Sequence, residues 1–157
     1  MDNDSQALLN RLFRQQRWAA FSTLEDGRPF TSYVAFVTAK GSAGFYLHIS
    51  KLAAHTRNVL NDSRVSLAVS ETDDGRADPQ TLARVSIQGI LTPIPMKDSE
   101  YDSAKKAYLE RFPESAQCFD FSDFMLFKLE PEKIRFVAGF AKTWSLGRGQ
   151  LAKVLES

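Results

Sequence analysis

His48 and His55 are the only two histidines in a chain of 157 residues, and both fall in one run, Phe45-Tyr46-Leu47-His48-Ile49-Ser50-Lys51-Leu52-Ala53-Ala54-His55-Thr56-Arg57-Asn58. A strand that passes straight into a helix leaves backbone N–H groups unpaired at the helix tip, where the dipole also favours an anion. Ser50 is placed to cap that tip, Lys51 adds a positive charge, and His55 follows Lys51 by one turn. A phosphate monoester is the group that hydroxyl, ammonium and imidazole would hold together. The same residues also read as an ordinary cap, a solvated lysine and a histidine packed beside Leu52 and Val59. The local pattern alone does not separate the two readings.

Other chemistry has less support. No Gly-x-Gly-x-x-Gly or phosphate-loop pattern is present, and two histidines with a single cysteine, Cys118, make a His- or Cys-rich metal site a poor expectation. The aspartates Asp73, Asp74 and Asp78 lack the closing glutamate of a calcium loop and read as a solvated connection. Cys118 stands alone among aromatic neighbours, which suits a semi-buried thiol better than a nucleophile.

Composition narrows the class further. The 43% apolar and 25% charged residues suit one globular domain spanning residues 1–157, and the formal charge of +1 gives no electrostatic case for nucleic acid or an anionic membrane. A single cysteine and an acidic, polar N-terminus favour a cytoplasmic protein with no membrane span. Twelve phenylalanines suit sheet faces and ring-lined clefts.

These residues need elements to position them. Leu8, Leu9, Leu12 and Phe13 recur at helical spacing and predict a helix over residues 5–16, capped by Asp4 or Ser5. Strands over 18–24 and 30–38 flank Asp26-Gly27, a strong hairpin signal. The turn Lys40-Gly41-Ser42-Ala43-Gly44 leads to a strand over 45–49 and a Ser50-capped helix over 51–60. Strands over 64–70 and 82–92 enclose a polar loop, and residues 97–112 read as a helix that Pro113 stops. Two strands, 124–129 and 134–140, are separated by Glu130-Pro131-Glu132-Lys133, and a short helix closes residues 150–155. About seven strands among irregularly spaced helices predict an α+β class, mainly antiparallel, as a barrel or sandwich rather than repeated βαβ units.

Several motifs then point to one family. Gly27-x-Pro29-Phe30-x-Ser32, the run Phe45 to Asn58 and Arg64-Val65-Ser66-Leu67 resemble the FMN-binding split-barrel superfamily, which includes pyridoxamine phosphate oxidase. Leu82-Ala83-Arg84-Val85 and Arg135-Phe136-Val137-Ala138-Gly139-Phe140 bring the resemblance closest to its haem-utilisation branch. The resemblance implies a split β-barrel with flanking helices, a homodimer, and FMN bound across the subunit interface. It places Ser32, Tyr33 and Val34 along the flavin ring and ribityl chain, Ser50, Lys51 and His55 on the phosphate, and Arg84 as a contact from the partner subunit. Arg84 reads equally as half of a surface ion pair, and Trp144 as a flavin neighbour, an interface residue or a plain buried ring. The chain carries Thr143-Trp144-Ser145 where the oxidase has an Arg-x-His substrate grip, and no histidine follows His55. The expectation is an FMN-binding oxidoreductase acting on a small unidentified substrate, with haem binding in the same cleft as the alternative.

Overall fold

The computed structural model describes residues 1–39, 41, 43–139 and 142–156. Lys40 and Ser42 of the expected turn and Phe140 of the expected last strand lie outside the described residues. The N-terminal helix α1 (Asn3–Gln15) starts earlier than its spacing predicts because Asp2 is the cap, accepting the Ser5 amide at 2.8 Å. Leu9, Leu12 and Phe13 form its buried stripe.

The hairpin forms as expected from β1 (Trp18–Glu25) and β2 (Arg28–Ala35). Asp26 and Gly27 take φ of 50° and 75°, the left-handed pair that a two-residue turn between right-twisted strands requires. The strand expected over 30–38 divides at the fully buried Phe36: β3 (Val37–Ala39) turns away to pair with β4 (Gly44–Ser50). There follow α2 (Ala54–Asn61), β5 (Arg64–Ser70), β6 (Arg84–Pro93), α3 (Tyr101–Arg111), β7 (Phe124–Val137), β8 (Thr143–Leu146) and α4 (Arg148–Glu156). Short 3-10 helices at Pro79–Thr81 and Pro113–Asp120 were not expected. The strands join antiparallel in the order β2-β1-β5-β6-β7-β4-β3, with β8 on the free side of β7. Since β2 also lies against β4, the sheet curls into a split barrel with flanking helices, the class the sequence predicts.

One expected break is absent. Glu130-Pro131-Glu132-Lys133 lies inside the continuous strand β7 because a bulge absorbs it: Gln88 faces Lys133 while Gly89 faces Pro131, leaving Glu132 extra. Pro131 has no N–H to give the ladder, and the bulge is where that loss is tolerated. The close approach requires glycine at 89, since a Cβ there would lie 2.1 Å from the Glu130 carbonyl oxygen.

Two cores hold the fold. The barrel interior is built on Phe13, Phe21, Phe36, Phe45, Phe127 and Phe136, all fully buried, each contributing roughly 2–3 kcal/mol by removal from water. The second core lies under α3, where the His48 ring stacks on Phe119 at 3.7 Å with Tyr108 and Phe124 around it. Glu100 ties α3 down by accepting hydrogen bonds from Tyr46 Oη and Lys128 Nζ, both at 2.7 Å. His48 is 8% exposed, and burial first, then the nearby Lys105 charge, pushes its pKa down to about 4.

Two measurements check these points. Gly89→Ala should cost about 1–3 kcal/mol and lower Tm by several degrees, whereas Gly149→Ala, whose added Cβ meets nothing, should leave Tm level or raised. An imidazole with its folded pKa below the ordinary 6.5 is protonated more readily in the unfolded chain, so stability should fall as pH drops from 6.5 toward 4. His48→Phe keeps the ring stack and should flatten much of that fall in thermal melts, His55 adding a slope of the same sign. An unchanged acid slope in the variant would place the sensitivity elsewhere.

Candidate functional site

Strand alternation sorts the expected site residues onto different faces. In β2, Ser32 and Val34 point inward and Tyr33 outward; in β1, Ala19, Phe21 and Thr23 point inward, Trp18, Ala20 and Ser22 outward. The structure therefore forms two groupings from the expected residues and brings Lys51 into neither.

On the inner side, Ser32 meets His55, with Oγ 2.9 Å from Nδ1. The His55 ring also sits edge-on to Phe21 at 5.7 Å. Burial lowers its pKa, favouring the neutral imidazole. Beside it, Asn58 Nδ2 donates to Thr23 Oγ1 at 3.0 Å and anchors α2 beneath the hairpin. Val34 is buried in the core and does not line the site the sequence expected of it.

The helix tip differs from the expectation. α2 begins at Ala54, and its cap position is Ala53, which has no side chain to cap with. Ser50 instead accepts the Leu52 amide at 3.1 Å and donates to Asp123 Oδ2 at 2.5 Å. The hydroxyl is thus held by a carboxylate, whose charge opposes an anion at the same place. Lys51 donates to the Ser122 carbonyl, at 3.4 Å.

On the outer side, Tyr33 and Arg84 share a groove of about 430 Å³ that runs over β1, β5 and β6. Trp18 also lines it, and its ring lies parallel to Tyr33 at 5.9 Å and 10°. Both rings are more than half exposed, 59% for Trp18 and 56% for Tyr33. Arg84 donates through Nη1 to the carbonyls of Gln80 and Leu82, and forms no ion pair among the described residues. Around these groups the face carries small side chains, Ala20, Ala68 and Ser86 among them. Trp18 escaped the sequence reading; its period-two alternation with buried Ala19 and Phe21 was the available signal.

The remaining candidates have structural surroundings. Trp144 is half-buried and stacks on Phe136 at 5.8 Å. Cys118 is partly buried near Tyr108. Asp74 binds Arg76, while Asp73 and Asp78 accept the amides of Gly75 and Gln80. Among the described residues no group of three His, Cys, Asp or Glu side chains is arranged for a metal ion, and no helix is long and apolar enough to cross a membrane.

Comparison with known proteins changes the functional expectation. The chain is 32% identical over 136 residues to the non-canonical haem oxygenase HOZ of Arabidopsis thaliana, a chloroplastic protein, covering 86% of this chain and 39% of that one. It is 31% identical over 143 residues to the haem oxygenase HutZ of Vibrio cholerae, covering 88% of this chain and 80% of HutZ. A haem-binding protein from Mycobacterium smegmatis shares the fold with a TM-score of 0.84 at 23% identity, over 98% of this chain and 62% of its own. The chain thus spans well under half of the plant relative and under two thirds of the mycobacterial one. A FAD-binding protein from Mesorhizobium loti shares the fold at lower similarity, with a TM-score of 0.62 at 16% identity. The expectation of an FMN-dependent oxidoreductase is corrected by these relatives, whose names concern haem, and the alternative is the better supported reading. The family model described as "CREG, beta-barrel" matches residues 3–146, from the first turn of α1 to the end of β8, and the chain belongs to that family.

Proposed function

We propose that this chain binds haem, as substrate or cargo, in the outer-face groove. The observation that carries the reading is the 31% identity to HutZ, maintained over 88% of this chain and 80% of HutZ. The groove supplies the matching chemistry. A porphyrin is a flat apolar ring with two carboxylates on one edge; the parallel pair Trp18 and Tyr33 offers a flat aromatic ledge, and Arg84 a cation beside it. Neither imidazole reaches this face, since His48 lies within the α3 core and His55 turns toward Ser32 and Phe21. Stacking and charge therefore carry the binding, with the inner pair Ser32 and His55 stiffening β2 from behind. Ser50 and Lys51 stand at the far end of β4, outside the groove.

A second copy completes the site in this reading. Beside Trp18, Tyr33 and Arg84 the face carries small residues, including Ala20, Ser22, Ala68 and Ser86, where another such face can approach closely. Closing the groove would remove water from the Arg84 contact and strengthen it.

Titrating the purified protein with ferric haem should give a saturable Soret band, and Arg84→Ala should weaken binding by about tenfold or more, the usual cost of losing a charged hydrogen bond. Sedimentation should give a dimer for the natural chain, and Ala68→Glu, which sets a charge in the middle of the face, should give a monomer with weaker haem binding. A yellow preparation with flavin bands and no response to haem would overturn the proposal.

A further inference from the structure

The outer-face groove is smaller than another cleft formed by the described residues. A cleft of about 630 Å³ opens between α1, α3 and β3, with Leu155 of α4 at one side. Its apolar lining comes from Val37, Ala107 and Leu155, with the buried Phe13 behind them, and its polar lining is dominated by arginine: Arg14, Arg17 and Arg111.

The three guanidinium groups differ in what holds them. Arg111 is committed to structure: Nη2 donates to the carbonyls of Phe13, Arg14 and Gln16, closing the C-terminal end of α1, where a cation also suits the dipole. Its guanidinium lies 5.4 Å from the Phe36 ring and 5.9 Å from the Phe112 ring. Arg17 lies 5.0 Å from that same Phe112 ring, so two like charges share one aromatic surface. Burial, and then the Arg17 charge, lower the Arg111 pKa, which reflects the crowding. Arg14 and Arg17 form no ion pair among the described residues, and Glu110, the one acidic group lining the cleft, pairs with neither. Among the described residues the lining keeps a formal surplus of two positive charges beside apolar side chains.

Like charges gathered without a counterion raise the free energy of a site, and an anion relieves it. We propose that this cleft is a second binding site, separate from the haem groove, for an amphipathic organic acid whose carboxylate meets Arg14 and Arg17 while its apolar body lies along Val37, Ala107 and Leu155. Arg111 acts there as a positioning residue that fixes the end of α1 and so the two free arginines.

Calorimetric titration of the full chain with decanoate, and separately with decanol, tests the assignment. Decanoate should bind saturably and decanol much more weakly. Arg14→Gln with Arg17→Gln should weaken decanoate by about tenfold or more, while Glu110→Gln, which removes a like charge, should strengthen it a few-fold. The Arg84→Ala variant should bind decanoate as the natural chain does, which separates this site from the groove. Equal binding of decanol and decanoate, an unaltered affinity in the double variant, or loss of affinity in Arg84→Ala instead would each overturn the proposal.

Discussion

Period-two alternation held in register across five strands is the constraint on which this molecule depends. Ala19, Phe21 and Thr23 of β1, Val65, Leu67 and Val69 of β5, and Val85 and Ile87 of β6 all point into the barrel. The pairings Ala20 with Tyr33 and Ala68, then Ala68 with Ser86, carry the intervening residues onto the opposite face in step. A slip of one residue would exchange the two faces completely. Filling the interior therefore fixes the composition of the exterior, and the exterior holds the groove. Gly89 matters for the same reason: the bulge it permits lets β7 continue with Ile134 and Phe136 still facing inward after Pro131.

The division of labour follows from that geometry. Inside, Ser32, His55, Asn58 and Thr23 form a small polar seam that docks α2 under the hairpin without leaving those groups unpaired. Outside, Trp18, Tyr33 and Arg84 are exposed in a groove, which is unusual company for two large rings unless something covers them. Both histidines are held by the fold: His55, the expected phosphate contact, pairs with Ser32, and His48 serves as a flat ring among Phe119, Tyr108 and Phe124.

Much of the fold was legible because local signals controlled it. Asp26-Gly27 demanded a hairpin whatever surrounded it, and the alternation in 82–92 could only be a half-covered strand. The errors have long-range causes. Ser50 looked like a helix cap, but Asp123, 73 residues away, takes its hydroxyl. Pro131 looked like a strand breaker, and only the opposing Gly89 shows why it is not. Of the expected site, Tyr33 and Arg84 do line one groove, but their companion Trp18 reads as an ordinary β-former until β2 is laid beside β1. The arginine cleft was hidden for the same reason, since Arg111 lies 98 residues from the Phe13 carbonyl it binds. The flavin expectation rested on a fold shared by flavin and haem proteins, and a fold does not choose between ligands.

The central claim is that the Trp18 side of the sheet receives the porphyrin. The chain has two tryptophans, Trp18 on the exposed face and Trp144 turned inward against Phe136, so their indole N–H signals report on the two faces separately. In a proton–nitrogen spectrum recorded during addition of ferric haem, paramagnetic broadening should erase the Trp18 signal first while the Trp144 signal persists. Loss of the Trp144 signal first, or survival of both at saturating haem, would contradict the account.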